Sequence, residues 1–307
     1  MNSLRQALAD YLSLRRSLGY ALQRPEKLLN QFLDYVEERG ASTITTDLAV
    51  AWAELPQDAS PLWWGHRLTV VRGFAGYLHV LDEAHEVPPT DVLPWKSHRA
   101  NPYLYTDAEI VAMIRSAATL RSPLRVATYQ TLIALLAVTG MRVGEAIDLD
   151  ADDFDNDRGA LLIRKSKGGA TRQLPLHPST TAAVCEYLQR PDRRSTARTT
   201  ALLISPAGTR LLYCNVQWTF QKLLRQNGIE ARSASCRPRI HDVRHSFAVS
   251  SLLDAYTSEL DIDRRLTLLA TYLGHRSPAG TYWYLSAAPE LLAAALERLD
   301  RKGDDRR

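Results

Sequence analysis

The sequence predicts a mainly α-helical protein with a small β-sheet, built from two domains of which the second is of the α+β type. Three observations lead to this fold class. Apolar residues recur at the helical period from Leu4 to Leu78. A proline-rich polar stretch then interrupts the pattern, and segments with strand character occur only near the middle of the chain.

The first block of the chain predicts a compact bundle of four short helices. Gly19 ends the first helix, and the second runs from Pro25 to Arg39, because proline favours the first turn of a helix. Thr46 and Asp47 can cap the third helix, and Pro61 opens the fourth. We expect this block to form a domain of its own.

A change in composition after Asp82 predicts the domain boundary. Prolines at positions 88, 89, 94 and 102 prevent a long helix there and leave an extended polar connection. We therefore assign residues 1–85 to an N-terminal domain, 86–102 to a linker and 103–307 to the second domain.

The second domain is predicted to contain helices on both sides of a small hairpin. Helical patterns cover Thr106–Ala118 and Leu124–Val138. Strand patterns at Ala160–Arg164 and Arg172–His177 flank a glycine-containing turn, which is typical of a hairpin. From Pro178 onward the chain is again mainly helical in pattern.

The composition is that of a soluble globular protein, with 45% hydrophobic and 23% charged residues. The longest apolar stretch, Leu132–Val138, is far shorter than the roughly 20 residues that a membrane span needs. The N-terminus has no signal-peptide core, so we expect a cytoplasmic protein. A net charge of +4 and a pI near 9.0 permit a polyanionic partner without requiring one.

No metal ion or other cofactor is predicted. The three cysteines lie far apart without a C-x-x-C pair, so neither a zinc site nor a disulfide framework is indicated. The acidic run from Asp148 to Asp157 does not fit a calcium loop, because Gly159 falls one place late and Arg164 stands where a glutamate ligand belongs. We expect this run to be a solvated turn before the hairpin.

Six residues of the second domain are candidates for catalysis when they are considered together. They are Arg142, Lys167, His241, Arg244, His275 and Tyr284.

The first two candidates lie beside predicted turns. A turn at Gly140 would present Arg142 near a cleft, although a surface arginine or one paired with Glu145 is the ordinary interpretation of a single arginine. Lys167 lies at the hairpin turn, where a flexible tip could reach a ligand and where a solvated lysine is also common.

The next three candidates follow helix signals. His241 and Arg244 are three residues apart, so a helix would place both on one face, near a helix N-terminus that favours anions. Two polar residues facing water are the alternative. His275 follows Gly274, which is typical of a helix C-terminus, and a single histidine in such a turn is commonly structural.

Tyr284 lies in an aromatic cluster that would ordinarily be assigned to a core. Tyr282 competes with it for the role of nucleophile. A spacing of two on a helix puts these tyrosines on different faces, so only one can point at a given site.

Taken as a set, these side chains suit attack on a phosphodiester. Two arginines can bind the oxygens of a transition state that carries extra negative charge. A tyrosine has a reference pKa of about 10, so it needs a base and a cationic field, which the histidines and arginines can supply. A lysine can protonate the departing sugar oxygen.

These motifs resemble those of the tyrosine recombinase, or phage integrase, family. Thr139–Glu145 is similar to the family's first arginine box, Lys167–Leu176 to its lysine hairpin, and His241–Val249 to its His-x-x-Arg box. Leu273–Ser277 is similar to its second histidine box. The family's tyrosine usually follows that histidine by nine positions, which selects Tyr284 over Tyr282.

The resemblance implies a site-specific recombinase that breaks and rejoins DNA through a 3′-phosphotyrosine, without metal or ATP. Arg142, Arg244 and His275 would bind the scissile phosphate, Lys167 would be the general acid, and His241 would assist proton transfer. Tyr284 would be the nucleophile. The N-terminal domain would be the family's helical core-binding domain, forming a C-shaped clamp around DNA with the catalytic domain.

The implied partners are double-stranded DNA with inverted-repeat core sites and other recombinase protomers, in a homo- or hetero-tetramer. A nucleoid-associated enzyme is expected, and the segment Thr281–Leu285 is similar to those of recombinases from transposable elements. The C-terminal segment Pro289–Leu299 could be the helix that docks on a neighbour in this family, or a helix packed within the same chain.

Two other functions share part of this pattern. A type IB-like topoisomerase would use the same chemistry without exchanging partners, but the short chain and the helical first block favour a recombinase. A DNA-binding accessory protein that has lost catalysis would not be expected to keep suitable residue types at all six positions.

Overall fold

The structure, a computed structural model, describes residues 3–94, 101–164, 171–257 and 261–274, together with residues 291 and 293. The chain divides into two compact units, Met1–Arg99 and Ala100–Arg307. Helices dominate both units, and the named strands form one three-stranded sheet. The predicted fold class, mainly α with a small β-sheet, is confirmed. Within the described residues, no helix is both long and apolar enough to cross a membrane.

The first unit contains four helices among its described residues, as the sequence pattern predicted. They are α1 (Leu4–Ser17), α2 (Gln23–Glu38), α3 (Thr46–Glu54) and α4 (Pro61–Leu81). Helix α2 begins before Pro25, directly after Leu22, which has a left-handed backbone with φ of 49°. Thr45, and not Thr46, caps α3 by accepting a hydrogen bond from the backbone of Leu48.

The core of the first unit is built around aromatic side chains. Trp52 and Phe32 are almost fully buried, and their rings meet edge to face with centroids 5.2 Å apart. The guanidinium of Arg67 lies 3.7 Å from the Trp52 ring and donates a hydrogen bond to the Trp52 carbonyl. The helices of this unit therefore enclose a core of their own.

Part of the predicted linker contacts this bundle. Glu86 donates its backbone N–H to the carbonyl of Ile44, and Leu93 is buried in the core of the first unit. Arg72 donates to the carbonyls of Pro88 and Pro89 at 2.6 Å and 2.5 Å. The prolines prevent helix, as expected, and leave backbone carbonyls that an arginine can bind.

The second unit has eight α-helices and three strands among its described residues. The helices are α5 (Asp107–Ser116), α6 (Pro123–Thr139), α7 (Val143–Asp148), α8 (Pro178–Gln189), α9 (Pro191–Thr196), α10 (Tyr213–Gln226), α11 (Asp242–Thr257) and α12 (Ile262–Leu273). The strands are β1 (Phe154–Asp155), β2 (Ala160–Ile163) and β3 (Arg172–Pro175).

The hairpin predicted from the sequence is present as β2 and β3, which pair antiparallel with Ile163 opposite Arg172. Strand β1 adds a short third strand on the other side of β2. Alternation along β3 buries Leu174 and half-buries Arg172, while Gln173 is exposed. Arg172 therefore shares the inward face of the sheet with Leu174.

The acidic run was predicted to be a solvated turn, and that prediction is wrong in part. Asp153 is buried, contacts Arg164 and accepts the backbone N–H of Asp150. Asp150 in turn accepts a hydrogen bond from Arg210 at 2.5 Å. These carboxylates are stable in the folded run because nearby arginines compensate their charges. No local pattern in the sequence indicates those arginine contacts.

Helix α6 lies at the centre of the second unit and packs against α5, α8 and α11. Helix α12 packs against α11, with Leu252, Leu266 and Leu269 in their shared core. This packing brings together the C-terminal ends of α6 and α12 and the N-terminal end of α11.

Candidate active site

Arg142 lies in the turn between α6 and α7. Gly140 ends α6 with a left-handed backbone, φ 58°, as predicted for this turn. Arg142 donates from Nη1 to Glu145 Oε1 at 2.8 Å and from its backbone N–H to Oε2 at 2.9 Å. It also donates from Nη2 to the carbonyl of Gly274 at 3.4 Å. From the sequence alone, the turn at Gly140 and the pairing of Arg142 with Glu145 are alternatives. The structure contains both.

Arg244 is the most deeply buried of the candidates in the described part of the chain, with 2% of its surface exposed. It lies in the first turn of α11 and donates from Nη1 to the Gly140 carbonyl at 2.9 Å. From Nη2 it donates to the carbonyl of Leu273 at 2.7 Å. Arg244 thus joins the end of α6 to the end of α12.

His241 differs from its prediction, because α11 begins at Asp242 and His241 stands in the turn before it. The side chain is exposed, and its ring lies 4.9 Å from that of His245. The fully buried Asp242 holds this turn, accepting from the backbone N–H of Arg239 at 3.0 Å and from its guanidinium at 2.9 Å. Burial raises the pKa of the Asp242 carboxyl despite this ion pair.

Arg172 was not selected from the sequence. It donates from Nε to the carbonyl of Tyr272 at 2.8 Å, and from Nη1 and Nη2 to the two carboxylate oxygens of Glu145 at 3.0 Å and 2.7 Å. The sequence signal that could have identified Arg172 is its position two residues before Leu174, which places a charged side chain on the same strand face as an apolar one. The Tyr272 and Glu145 partners lie far from it in the sequence, so only the fold shows them.

The end of α12 is where these arginines meet. The carbonyls of Tyr272, Leu273 and Gly274 accept hydrogen bonds from Arg172, Arg244 and Arg142 respectively. Carbonyls at a helix C-terminus carry partial negative charge, and cations stabilise them. Gly274, with φ of 68°, ends the helix at this point.

Glu145 is a buried carboxylate at the centre of this cluster. Burial alone would raise its pKa, but the hydrogen bonds from Arg172 and from the backbone and side chain of Arg142 hold the pKa below its usual value. Glu145 is therefore ionised at neutral pH. Its charge is shared by two arginines.

Three of the six candidates, Lys167, His275 and Tyr284, lie outside the described residues, as do Tyr282 and most of Pro289–Leu299. The structure brings together Arg142 and Arg244, both bound to the end of α12, and places His241 in the turn that precedes Arg244. His275 is the residue that follows Gly274 in the chain. In the described part of the chain, no group of His, Cys, Asp and Glu side chains could hold a metal ion.

Gly140→Ala is expected to destabilise the protein by about 2–4 kcal/mol, because a side chain strains a left-handed backbone and must displace its neighbours. An added Cβ would overlap the ring of Phe247, which is stacked on Tyr272. Gly144→Ala is the control, since this glycine lies in α7 with open space around its Cβ position. Urea unfolding should show Gly144→Ala neutral or slightly stabilised, and equal losses in both variants would contradict the prediction.

Three arginines converge on one helix end, one of them almost fully buried, and such a cluster suits an anion such as a phosphodiester. Comparisons with known proteins identify the family of the chain. Residues 105–290 match the model of the phage integrase family. The chain is 40% identical to the integrase/recombinase y4rB of Sinorhizobium fredii over 313 residues, 100% of either chain.

It is 30% identical to the tyrosine recombinase XerC of Alcanivorax borkumensis, over 78% of this chain and 74% of that protein. The fold is similar to that of a lambda integrase tetramer bound to a Holliday junction, with a TM-score of 0.61 and 18% identity over 92% of this chain and 77% of that one. The chain belongs to the phage integrase family of tyrosine recombinases, enzymes that cleave and rejoin DNA.

Proposed function

We propose that this chain is a site-specific recombinase that exchanges DNA strands through a 3′-phosphotyrosine at Tyr284. The observation that carries the proposal is the convergence of Arg142 and Arg244 on the end of α12, immediately before His275 in the chain. Guanidinium groups from two distant segments of the chain thereby lie near the same helix end. Binding the two non-bridging oxygens of one phosphate requires such donors close together.

In the proposed reaction, the Tyr284 oxygen attacks the scissile phosphorus and the bond to the 5′ oxygen breaks. Arg142, Arg244 and His275 stabilise the charge on the non-bridging oxygens. Lys167 protonates the leaving 5′ oxygen, and His241 assists proton transfer at the tyrosine. The freed 5′-hydroxyl of a partner strand then attacks the phosphotyrosine, so the phosphodiester is restored without ATP or metal.

Tyr272 is a tyrosine close to this cluster, and it is a poor nucleophile. It is half-buried, and burial raises the pKa of its phenol, which disfavours the phenolate. This supports assigning the attack to a tyrosine downstream of α12. The spacing from His275 favours Tyr284 over Tyr282.

The proposed partners are duplex DNA with inverted-repeat core sites and three further recombinase protomers, of this chain or of sister recombinases. The lambda integrase of similar fold is a tetramer on a Holliday junction, which supports this assembly. We assign residues 1–85 to DNA binding, 86–102 to a linker and 103–307 to catalysis. Association with the nucleoid follows from this DNA substrate.

The test first locates inverted repeats with a short spacer beside the gene. It then uses a nicked duplex that carries them and that loses its 5′-hydroxyl strand on cleavage, which traps the covalent state. The protein in EDTA is expected to form a denaturation-resistant adduct whose DNA-linked peptide contains Tyr284. The proposal is contradicted if the adduct requires a divalent metal. It is equally contradicted if the protein only relaxes plasmids that lack the site.

A further inference from the structure

We propose that Arg172 is a positioning residue for DNA cleavage, which holds Glu145 and thereby sets the orientation of Arg142 and the net charge of the cluster that these three residues form. This inference rests on the proposed function, because it assigns Arg142 to the scissile phosphate. Arg172 itself is not assigned any contact with DNA.

The first step is the bond between Arg172 and Glu145. The two guanidinium Nη atoms meet the two carboxylate oxygens at 3.0 Å and 2.7 Å, a bidentate pair that fixes the plane of the carboxylate. The side chains of Arg172 and Glu145 are only 11% and 5% exposed, so water screens this pair weakly. The Nε bond to the Tyr272 carbonyl fixes the third side of the guanidinium.

The second step leads from Glu145 to Arg142. The same two carboxylate oxygens accept the Nη1 and the backbone N–H of Arg142, at 2.8 Å and 2.9 Å. Any rotation of the carboxylate would break one of these bonds, so the orientation of Arg142 depends on the Arg172–Glu145 pair. A displacement of about 1 Å in a catalytic group can cost about 100-fold in rate.

The net charge of the cluster also depends on Arg172. Arg142, Arg172 and Glu145 together carry one net positive charge, which can attract a phosphate bound at Arg142. Without the Arg172 cation, Glu145 would neutralise Arg142, and the field at the phosphate would fall accordingly. Arg172 therefore has an effect on the reaction that is separate from its effect on folding.

The position of Arg172 in the chain adds to this role. It begins β3, opposite Ile163 in β2, and Lys167 lies in the segment that joins these strands. Its Nε bond joins the same strand to Tyr272, one residue before Leu273, which ends α12; Gly274 and then His275 follow in the chain. One guanidinium thus joins the strand that follows Lys167 to the helix that precedes His275.

The experiment measures the single-turnover rate of adduct formation at saturating nicked DNA, together with the Kd for the same DNA. Arg172→Gln in the full-length protein is expected to slow adduct formation by about 100-fold while changing Kd by less than about threefold. Arg193→Gln is the matched control, because Arg193 is 7% exposed and donates to the carbonyls of Ala201 and Leu202 outside the site. Rates are compared at a temperature at which circular dichroism shows every variant folded.

A second variant separates positioning from structure. In Glu145→Gln/Arg172→Gln the carboxylate charge is removed along with the cation, and the amide oxygen can still accept from Arg142. The double variant is expected to cleave faster than Arg172→Gln alone. If the role of Arg172 were purely structural, the second substitution would slow adduct formation further.

The outcomes are distinct. The positioning role is overturned if Arg172→Gln cleaves within about threefold of the wild type, if its loss equals that of Arg193→Gln, or if the double variant is slower than the single one. If the wild-type protein itself forms no adduct, the proposed function fails, and the inference about Arg172 fails with it.

Discussion

Tyr284→Phe is expected to abolish the covalent protein–DNA adduct, a loss of at least about 10⁴-fold, because phenylalanine has no oxygen to attack the phosphorus. The measurement is denaturing electrophoresis of the reaction on the nicked trapping duplex described above. DNA binding should persist, since the arginines that we propose to bind the phosphate are unchanged. Binding by electrophoretic mobility shift therefore shows that the variant is folded and engaged.

Tyr282→Phe is the matched control, because it removes the same oxygen two residues away within the same aromatic segment. This variant should form the adduct at a rate close to that of the wild type. An adduct that persists in Tyr284→Phe and disappears in Tyr282→Phe would reassign the nucleophile. An adduct in both single variants would show that neither tyrosine is essential.

Arg244→Lys is expected to slow adduct formation by about 10³-fold, because an ammonium cannot reproduce the planar fork that donates to two partners at once. In the folded protein this fork bridges the carbonyls of Gly140 and Leu273. Lysine can satisfy only one of these buried acceptors with good geometry, so the free energy of unfolding should also fall, by about 1–3 kcal/mol.

The two effects can be separated with Arg193→Lys, in which a buried arginine that also donates to two carbonyls is replaced outside the site. Urea unfolding should show a similar loss of stability in both variants, while only Arg244→Lys loses cleavage. Equal cleavage rates in the two variants at a permissive temperature would remove Arg244 from the phosphate-binding group.

The local elements of the fold could be predicted because their signals are local. Pro61 marks a helix start, and Gly140 and Gly274 mark ends at left-handed positions that disfavour other residues. The errors concern a single turn in each case. One example is the start of α11 at Asp242 instead of before His241.

The contacts across the second unit could not be predicted in the same way. The side chain of Asp153 looked solvated because the sequence does not show that the hairpin base brings Arg164 against it. Arg172 looked like one basic residue among several in a hairpin. Its partners Glu145 and Tyr272 are separated from it by 27 and 100 positions.

By itself, the sequence determined the helical class of this protein and its hairpin, and it predicted the set of arginines, histidines, lysine and tyrosine that would suit a phosphodiester. These features follow from residue type and short-range spacing, which a chain carries before it folds. Only the tertiary structure decided that Arg142, Arg172 and Arg244 meet at the end of α12, and that the first two share one buried carboxylate. That arrangement depends on how helices and strands pack, because a buried charge is stable only where distant residues bring its partners.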